Sequence, residues 1–334
     1  MLKEEKKMKK IVLFNPAIST LNVGDYIIMQ SCNKILKNIN KQSFFIEIPT
    51  HLYLSILNMR LIKNNKYMYV CGTNLLRSFH PFSIRNQWKI GIVFLIYMLL
   101  KKENNIVLVG VGWSGYRHTT NSLLKTYLLK KLLNNGHFHS VRDEYTKLKL
   151  NEIGIKNVIN TGCLTTWELT KEHCKDIPKI KSEKVIVTLT DYDRDIEKDK
   201  QMFEILEKSY KKIYFWPQGS KDLEYIDSLL KNSINYEIIP PNLEAYEEFL
   251  ESNECDFVGT RLHGGIKALQ HKRRTIIIGI DNRAIEMSEI GLPVIKRENI
   301  EIDLEKMINS ELEIKINLPI ENIEKWKAQF KIGE

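Results

Sequence analysis

The chain has 334 residues, 43% of them hydrophobic and 27% charged, which excludes disordered, collagen-like and fibrous classes and suits two globular domains better than one. Its five cysteines, Cys32, Cys71, Cys163, Cys174 and Cys255, are scattered and never form a C-x-x-C pair, so the sequence argues for a reducing compartment and against a disulfide framework or zinc knuckle. A formal charge of +9 favours anionic partners without choosing between nucleic acid, phosphorylated metabolites and anionic lipid.

In chain order, a basic head leads into a short apolar run that meets polar Asn22, Gly24 and Asp25 without a signal-cleavage pattern, and this run reads as a first strand. Strands are expected over 10–14, 43–48, 67–71, 105–109, 139–141 and 157–160, with amphipathic helical stretches such as 26–36 and 122–133 between them. The most apolar segment, 90–100, is too short to cross a bilayer of about 30 Å as a helix. A buried core helix is its first reading, and a helix resting on the membrane interface is the alternative.

The polar, Lys-rich stretch 171–184 reads as a linker, which divides the chain into domains 1–178 and 179–334, the second ending in a helix. Beyond it a second series of strands is expected at 185–189, 212–216, 236–239, 256–258 and 275–280. There is no fixed-period repeat. The fold class is therefore α/β, with two Rossmann-like, doubly wound domains, and ligand chemistry is to be sought just after the carboxyl ends of the strands.

Those post-strand loops carry glycine beside polar or cationic residues: 22–25, 72–74, 110–118, 142–143, 216–219, 259–265 and 281–283. Gly24-Asp25 opens a helix, either as an anion cradle or as a plain helix start with a first-turn acid. The glycine-rich run 110–118, ending in Arg117 and His118, lacks the spacing of a Walker loop or dinucleotide fingerprint, which excludes those nucleotide chemistries as leading ideas. Arg142-Asp143 reads as a surface helix-start pair or a ligand site. The segment 216–219, Trp-Pro-Gln-Gly, reads as a turn with an aromatic neighbour. No His, Cys, Asp or Glu cluster has metal-ligand spacing, so no metal is expected.

The strongest signal is Asp256-Phe-Val-Gly-Thr-Arg-Leu-His-Gly-Gly-Ile-Lys-Ala268, a strand followed by a helix start. Gly264 and Gly265 let backbone approach a ligand, Arg261 can fork onto a carboxylate or phosphate, and His263 can exchange a proton near neutral pH. A lone histidine is more often structural. The arginine two residues away, the glycine pair and the strand-end position shift the reading toward function.

With this Arg-Leu-His-Gly segment the chain resembles the polysaccharide pyruvyltransferase family. Asn22-Val-Gly-Asp25, Arg142-Asp143, Thr161-Gly-Cys163, Trp216-Pro-Gln-Gly219 and 281–283 are similar to that family in the same order, across nearly the whole chain. The resemblance implies a GT-B-like pair of domains facing a central cleft, the first on the acceptor side and the second on the donor side. It also implies an enzyme moving pyruvate from phosphoenolpyruvate onto a sugar of a cell-surface polysaccharide or its precursor as a ketal, with release of phosphate. Arg142, His263 and Arg283 fall where the family handles phosphoenolpyruvate, with Arg261 beside the histidine. Position 283 is commonly lysine in the family; arginine keeps the charge but does not donate a proton.

His263 is then the expected acid or base, with Asp25 orienting an acceptor hydroxyl. Arg142, Arg261, Arg283, Asn22, Gly24, Gly264 and Gly265 are the expected substrate-binding residues. No cofactor beyond the donor substrate is expected, and the acceptor would be a nucleotide- or lipid-linked sugar. The expected location is the cytoplasm, with peripheral contact at the inner face of the membrane left open. The alternative enzyme is a GT-B glycosyltransferase using a nucleotide sugar. A non-catalytic binding module is the alternative from another class, and nucleic acid is not an expected partner, because basic residues are dispersed and no aromatic-basic recognition motif is present.

Overall fold

In the computed structural model, which describes residues 8–76, 88, 89, 91–100, 104–113, 115, 116, 123–231 and 233–330, every strand pairing is parallel. The strands are β1 (Lys9–Asn15), β2 (Ser43–Pro49), β3 (Tyr67–Cys71), β4 (Ile106–Val109), β5 (His139–Val141) and β6 (Val158–Asn160), followed by β7 (Lys184–Thr188), β8 (Lys212–Phe215), β9 (Glu237–Ile238), β10 (Asp256–Gly259), β11 (Thr275–Gly279) and β12 (Val294–Lys296). Helices occupy most of the connections between consecutive strands, as parallel crossovers require. The short β12 was not expected, because three residues after Gly291-Leu-Pro293 leave too little length for a periodic signal.

Internal contacts divide the chain into two units. The first holds residues up to Thr20, Ile28–Leu164 and Pro319 onward; the second holds Leu21–Ile27 and Thr165–Leu318. This differs from a boundary at 178/179 in three stretches. Residues 165–178 go with the second unit, Leu21–Ile27 joins it from far upstream, and the helix Ile320–Ala328 belongs to the first, where Asn322 donates to the Asn160 carbonyl at 2.8 Å. The Lys-rich stretch is not a linker. It contains the helix Lys171–Lys175, capped by Thr170, and runs into β7.

In the second unit the strand order is β12-β11-β10-β7-β8-β9, a doubly wound sheet whose order reverses between β7 and β10. At its amino edge, Arg274 is buried and donates to Asp256 at 2.8 Å and to the carbonyls of Met307, Ile308 and Ser310, closing the helix Glu305–Asn309.

In the first unit the order is β2-β1-β3-β4, extended toward β5-β6 by a bridge between Val111 and Val141. Its core gathers Val12, Phe14, Met68, Val70, Ile106 and Leu108. The apolar helix Gly91–Leu100 buries Phe94, Leu95 and Met98 in that core, with Phe94 edge-on to Phe14 at 5.7 Å, so the core-helix reading holds. Among the described residues no helix is long and apolar enough to cross a membrane.

His139 on β5 is fully buried; its Nδ1 accepts from the Leu108 N–H at 3.2 Å, so Nε2 carries the proton toward the Leu133 carbonyl at 2.6 Å. Burial pushes its pKa down to about 4. Between the unfolded value near 6.5 and that folded value, the unfolded chain binds a proton that the folded chain refuses. Stability therefore falls as pH drops through this window, by at most about 1.4 kcal/mol per pH unit from this one group. Urea unfolding followed from pH 7 to pH 4.5 is expected to show this slope, and His139→Gln is expected to lose His139's share of it despite a lower stability at pH 7.

Candidate active site

Where the strand order reverses, the chain leaves β7 and β10 in opposite directions, and in doubly wound sheets the carboxyl ends at such a point are where a ligand crevice forms. The loops there are held by one carboxylate. Asp222, fully buried in the first turn of the helix Asp222–Leu230, accepts from the backbone N–H groups of Gln218 at 3.1 Å, Gly219 at 2.7 Å and Asp191 at 3.2 Å. It also accepts from Arg261, through Nε at 3.1 Å and through a terminal nitrogen. Burial raises the Asp222 carboxyl above its ordinary range, with Arg261 pulling the other way.

Arg261 was expected to fork onto a ligand anion. Its side chain is instead buried, bonded to Asp222, to Asp191 at 2.8 Å and to the Leu189 carbonyl at 2.8 Å. Its guanidinium is committed to tying together the loops after β7, β8 and β10. Sequence reading missed Asp222 and Asp191, although 190–193, Thr-Asp-Tyr-Asp, stands at a strand end where polar residues signal a site.

Arg261 is also the residue before the helix Leu262–Gln270, whose first turn has no acidic residue and no side-chain cap. His263 lies buried in that turn. The glycine pair, expected to admit a ligand, faces the sheet. A Cβ on Gly265 would lie 2.7 Å from Ile277, and one on Gly264 would lie 3.1 Å from the Gln218 side chain and 3.4 Å from Phe257 and Trp216. The turn is pinned from behind: Tyr246, stacked on Trp216 at 3.7 Å between centroids, donates its hydroxyl to the Gly264 carbonyl at 2.9 Å.

The segment 22–25 is laid against the loop after β8. Asn22 bridges Gly219, the Val23 N–H donates to the Gln218 carbonyl at 2.8 Å, and the Gln218 amide donates to Asn22 Oδ1 at 2.9 Å. Gly24 makes room for this, since a Cβ there would lie 2.6 Å from the Gln218 nitrogen. Asp25 follows, buried in the first turn of the helix Gly24–Ile39. The Gln218 Oε1 atom is buried and without a hydrogen-bond partner, a state that native structures rarely leave unexplained.

Arg283 sits at the start of the helix Asn282–Ser288, beyond β11, with Asp281 as cap. Its guanidinium meets Asp281 at 2.8 Å and the Tyr192 hydroxyl at 2.6 Å, and the Tyr192 ring lies 5.3 Å from the Arg261 guanidinium. Two arginines thus share three aspartates, Asp191, Asp222 and Asp281. Arg283 is the more open of the two, with 18% of its side chain exposed against 3% for Arg261.

Of the expected binding residues, Arg142 alone belongs to the first unit. It is not a surface pair with Asp143: both are buried, Arg142 donates to Asp143 at 3.2 Å and to Asn74 at 2.8 Å, and Asp143 caps the helix Glu144–Glu152. Arg117 and His118 lie outside the described residues. Among the described residues no group of three His, Cys, Asp or Glu side chains is placed to hold a metal ion.

The polysaccharide pyruvyl transferase family matches residues 22–282, from the Asn22 turn to the helix that carries Arg283. The chain belongs to this family. It is a transferase acting on polysaccharide, and its fold is that of GT-B proteins. The UDP-GlcNAc 2-epimerase of Methanocaldococcus jannaschii, solved with UDP-GlcNAc and UDP, is similar over 98% of this chain and 99% of its own at 14% identity and a TM-score of 0.56. A putative UDP-N-acetylglucosamine 2-epimerase from Listeria monocytogenes is similar over 98% of both chains at 13% identity and a TM-score of 0.56. S. aureus MnaA with UDP gives 11% identity and 0.55 over 98% and 97%. No curated protein matches the chain.

In this transferase, removing Asp222 leaves the Arg261 cation buried with Asp191 as its remaining carboxylate. Asp222→Ala is therefore expected to destabilise the protein toward the lower end of the ~3–5 kcal/mol typical of a broken buried pair, read from urea unfolding. Asp191→Ala, at the more exposed partner, is expected to cost less.

Proposed function

We propose that the transferase moves pyruvate from phosphoenolpyruvate to a sugar as a cyclic ketal, with the donor at the β7/β10 crevice of the second unit. The observation that carries this reading is the helix start at Leu262: an uncapped first turn without acidic residues, holding a buried histidine, at the reversal point of the sheet. Such a turn offers backbone N–H groups and the positive end of a helix dipole to an anion. Arg283 supplies a cation, with Asp281 and Tyr192 fixing its direction. Arg261 acts here as a positioning residue. Asn22 and Gly24, which belong to the same unit, are assigned to substrate binding and Asp25 to orienting the acceptor hydroxyl, while Arg142 keeps its donor-handling assignment on family resemblance alone.

In the reaction an acid, assigned to His263, protonates the methylene carbon of phosphoenolpyruvate, leaving the central carbon cationic. A sugar hydroxyl adds there, the C–O bond to phosphate breaks, and a second hydroxyl closes the ring. The two hydroxyl protons balance the one gained by carbon and the one leaving with phosphate. Imidazole suits both halves because it gives and takes a proton near neutral pH. Arg283 stays charged throughout and works electrostatically.

Incubation with phosphoenolpyruvate and nucleotide- or lipid-linked sugars, read by mass spectrometry, is expected to give free phosphate and a pyruvyl increment. Release of a nucleotide instead would turn the reading to GT-B glycosyl transfer. His263→Ala is expected to lose about two to four orders of magnitude in turnover while still binding phosphoenolpyruvate. A loss within tenfold removes the proton-transfer role. Arg283→Lys is expected to lose about 1–2 kcal/mol of transition-state stabilisation, and Arg283→Met distinctly more, as ratios of kcat/KM.

A further inference from the structure

At the opposite, amino-terminal edge of the second unit's sheet lies a cavity of about 410 Å³. Its walls are tied to the starts of two strands: the Lys179 carbonyl accepts from Arg274, just before β11, at 3.1 Å, and the Asn317 N–H donates to the Ile290 carbonyl, ahead of β12, at 2.7 Å. It is therefore separate from the β7/β10 crevice. The floor is apolar, made by Cys174, Ile177, Ile314 and Ile316. The rim is cationic, made by Lys171, Lys175, Lys179 and Lys315.

One carboxylate stands among these lysines. Glu313 is bridged by Lys315 and by Lys179 at 3.4 Å, and these lysines hold it below the usual carboxylate range, so it stays ionised and cancels one charge of the four. The Lys171 and Lys175 side chains are exposed, make no ion pair or hydrogen bond among the described residues, and stand four apart on the helix Lys171–Lys175, hence on one face. The acids beside them turn elsewhere: Asp176 pairs with Lys272 at 2.6 Å, and Glu172 is not part of the lining. Next to the rim, Ile180 leaves 71% of its surface to solvent.

A rim with a net excess of ammonium groups, two of them unpaired, over an aliphatic floor matches a ligand that carries both features at once. Long lysine stems cover apolar surface while their heads reach for an anion. The volume is in the range of about 300–1,000 Å³ that holds small ligands. We propose that this cavity binds an amphipathic anion, a phosphate or carboxylate head on an aliphatic tail, either free or as the head of a bilayer lipid.

The test is calorimetric titration of the whole protein with octyl phosphate below its micelle concentration, beside inorganic phosphate and octanol. Flotation with phosphatidylglycerol vesicles, set against phosphatidylcholine vesicles, tests the bilayer source. Saturable octyl phosphate binding at least about tenfold tighter than either half-ligand is expected, weakened about tenfold in Lys171→Glu/Lys175→Glu. Both lysines are exposed, so the double variant is expected to keep its unfolding midpoint. Phosphatidylglycerol binding lost in that variant supports the bilayer source, and soluble binding alone supports the free one. Absence of binding in both arms, equal binding of phosphate and octyl phosphate, or binding indifferent to the double charge reversal overturns the proposal. None of these readouts uses pyruvyl transfer, so the catalytic reading stands or falls separately.

Discussion

The geometry of the site depends on a buried carboxylate that must be surrounded by donors. Asp222 is out of water, and an ionised carboxylate there is tolerable only where hydrogen bonds and an opposite charge replace its hydration. It gathers the backbone of Gln218, Gly219 and Asp191 and the Arg261 guanidinium. Three separate post-strand loops are thereby fixed against one atom group. The close approach needs glycine in two places: at Gly219 the Arg261 guanidinium stands where a Cβ would go, and at Gly259 a Cβ would lie 2.7 Å from Thr188 backbone atoms.

The same constraint explains why the arginine of the Arg-Leu-His-Gly segment is not a bare cation. A buried guanidinium beside two aspartates is compensated before any ligand arrives, and Arg283 is likewise paired with Asp281. The first turn of the helix Leu262–Gln270, by contrast, contains no acidic residue and no side-chain cap. Its glycines work by letting the helix lie close on Ile277 and Phe257, and the Trp216–Tyr246 stack fixes the turn from behind. Donors held rigidly by packing lose little freedom when they meet developing charge, which is the general virtue of preorganised electrostatics.

The first unit uses a similar device on its own strand ends. Arg142 is buried against Asp143 and Asn74, after β5 and β3, and its guanidinium occupies the space where a side chain on Gly112, after β4, would otherwise stand. Asp143 serves at once as ion-pair partner and helix cap, accepting from the Thr146 N–H at 2.7 Å. In each unit a buried arginine–carboxylate pair, with a glycine making room for the guanidinium, locks the carboxyl edge of a parallel sheet.

By itself the sequence determined every strand but β12 and most of their limits, because a parallel strand buried on both faces must be a short apolar run bounded by breakers. The expected 67–71 and 139–141 coincide with β3 and β5, and 43–48 and 212–216 miss by one residue. It also located the motif that begins at β10 and identified the family. Only the tertiary structure decided that Leu21–Ile27 and residues 165–178 join the second unit and that the last helix joins the first, since such membership is set by long-range contacts that leave no local period. It alone decided what Arg261 faces. Its partners Asp222 and Asp191 lie 39 and 70 positions away, and hydrophobic spacing tells which face of an element is buried but not which distant charge will be buried beside it.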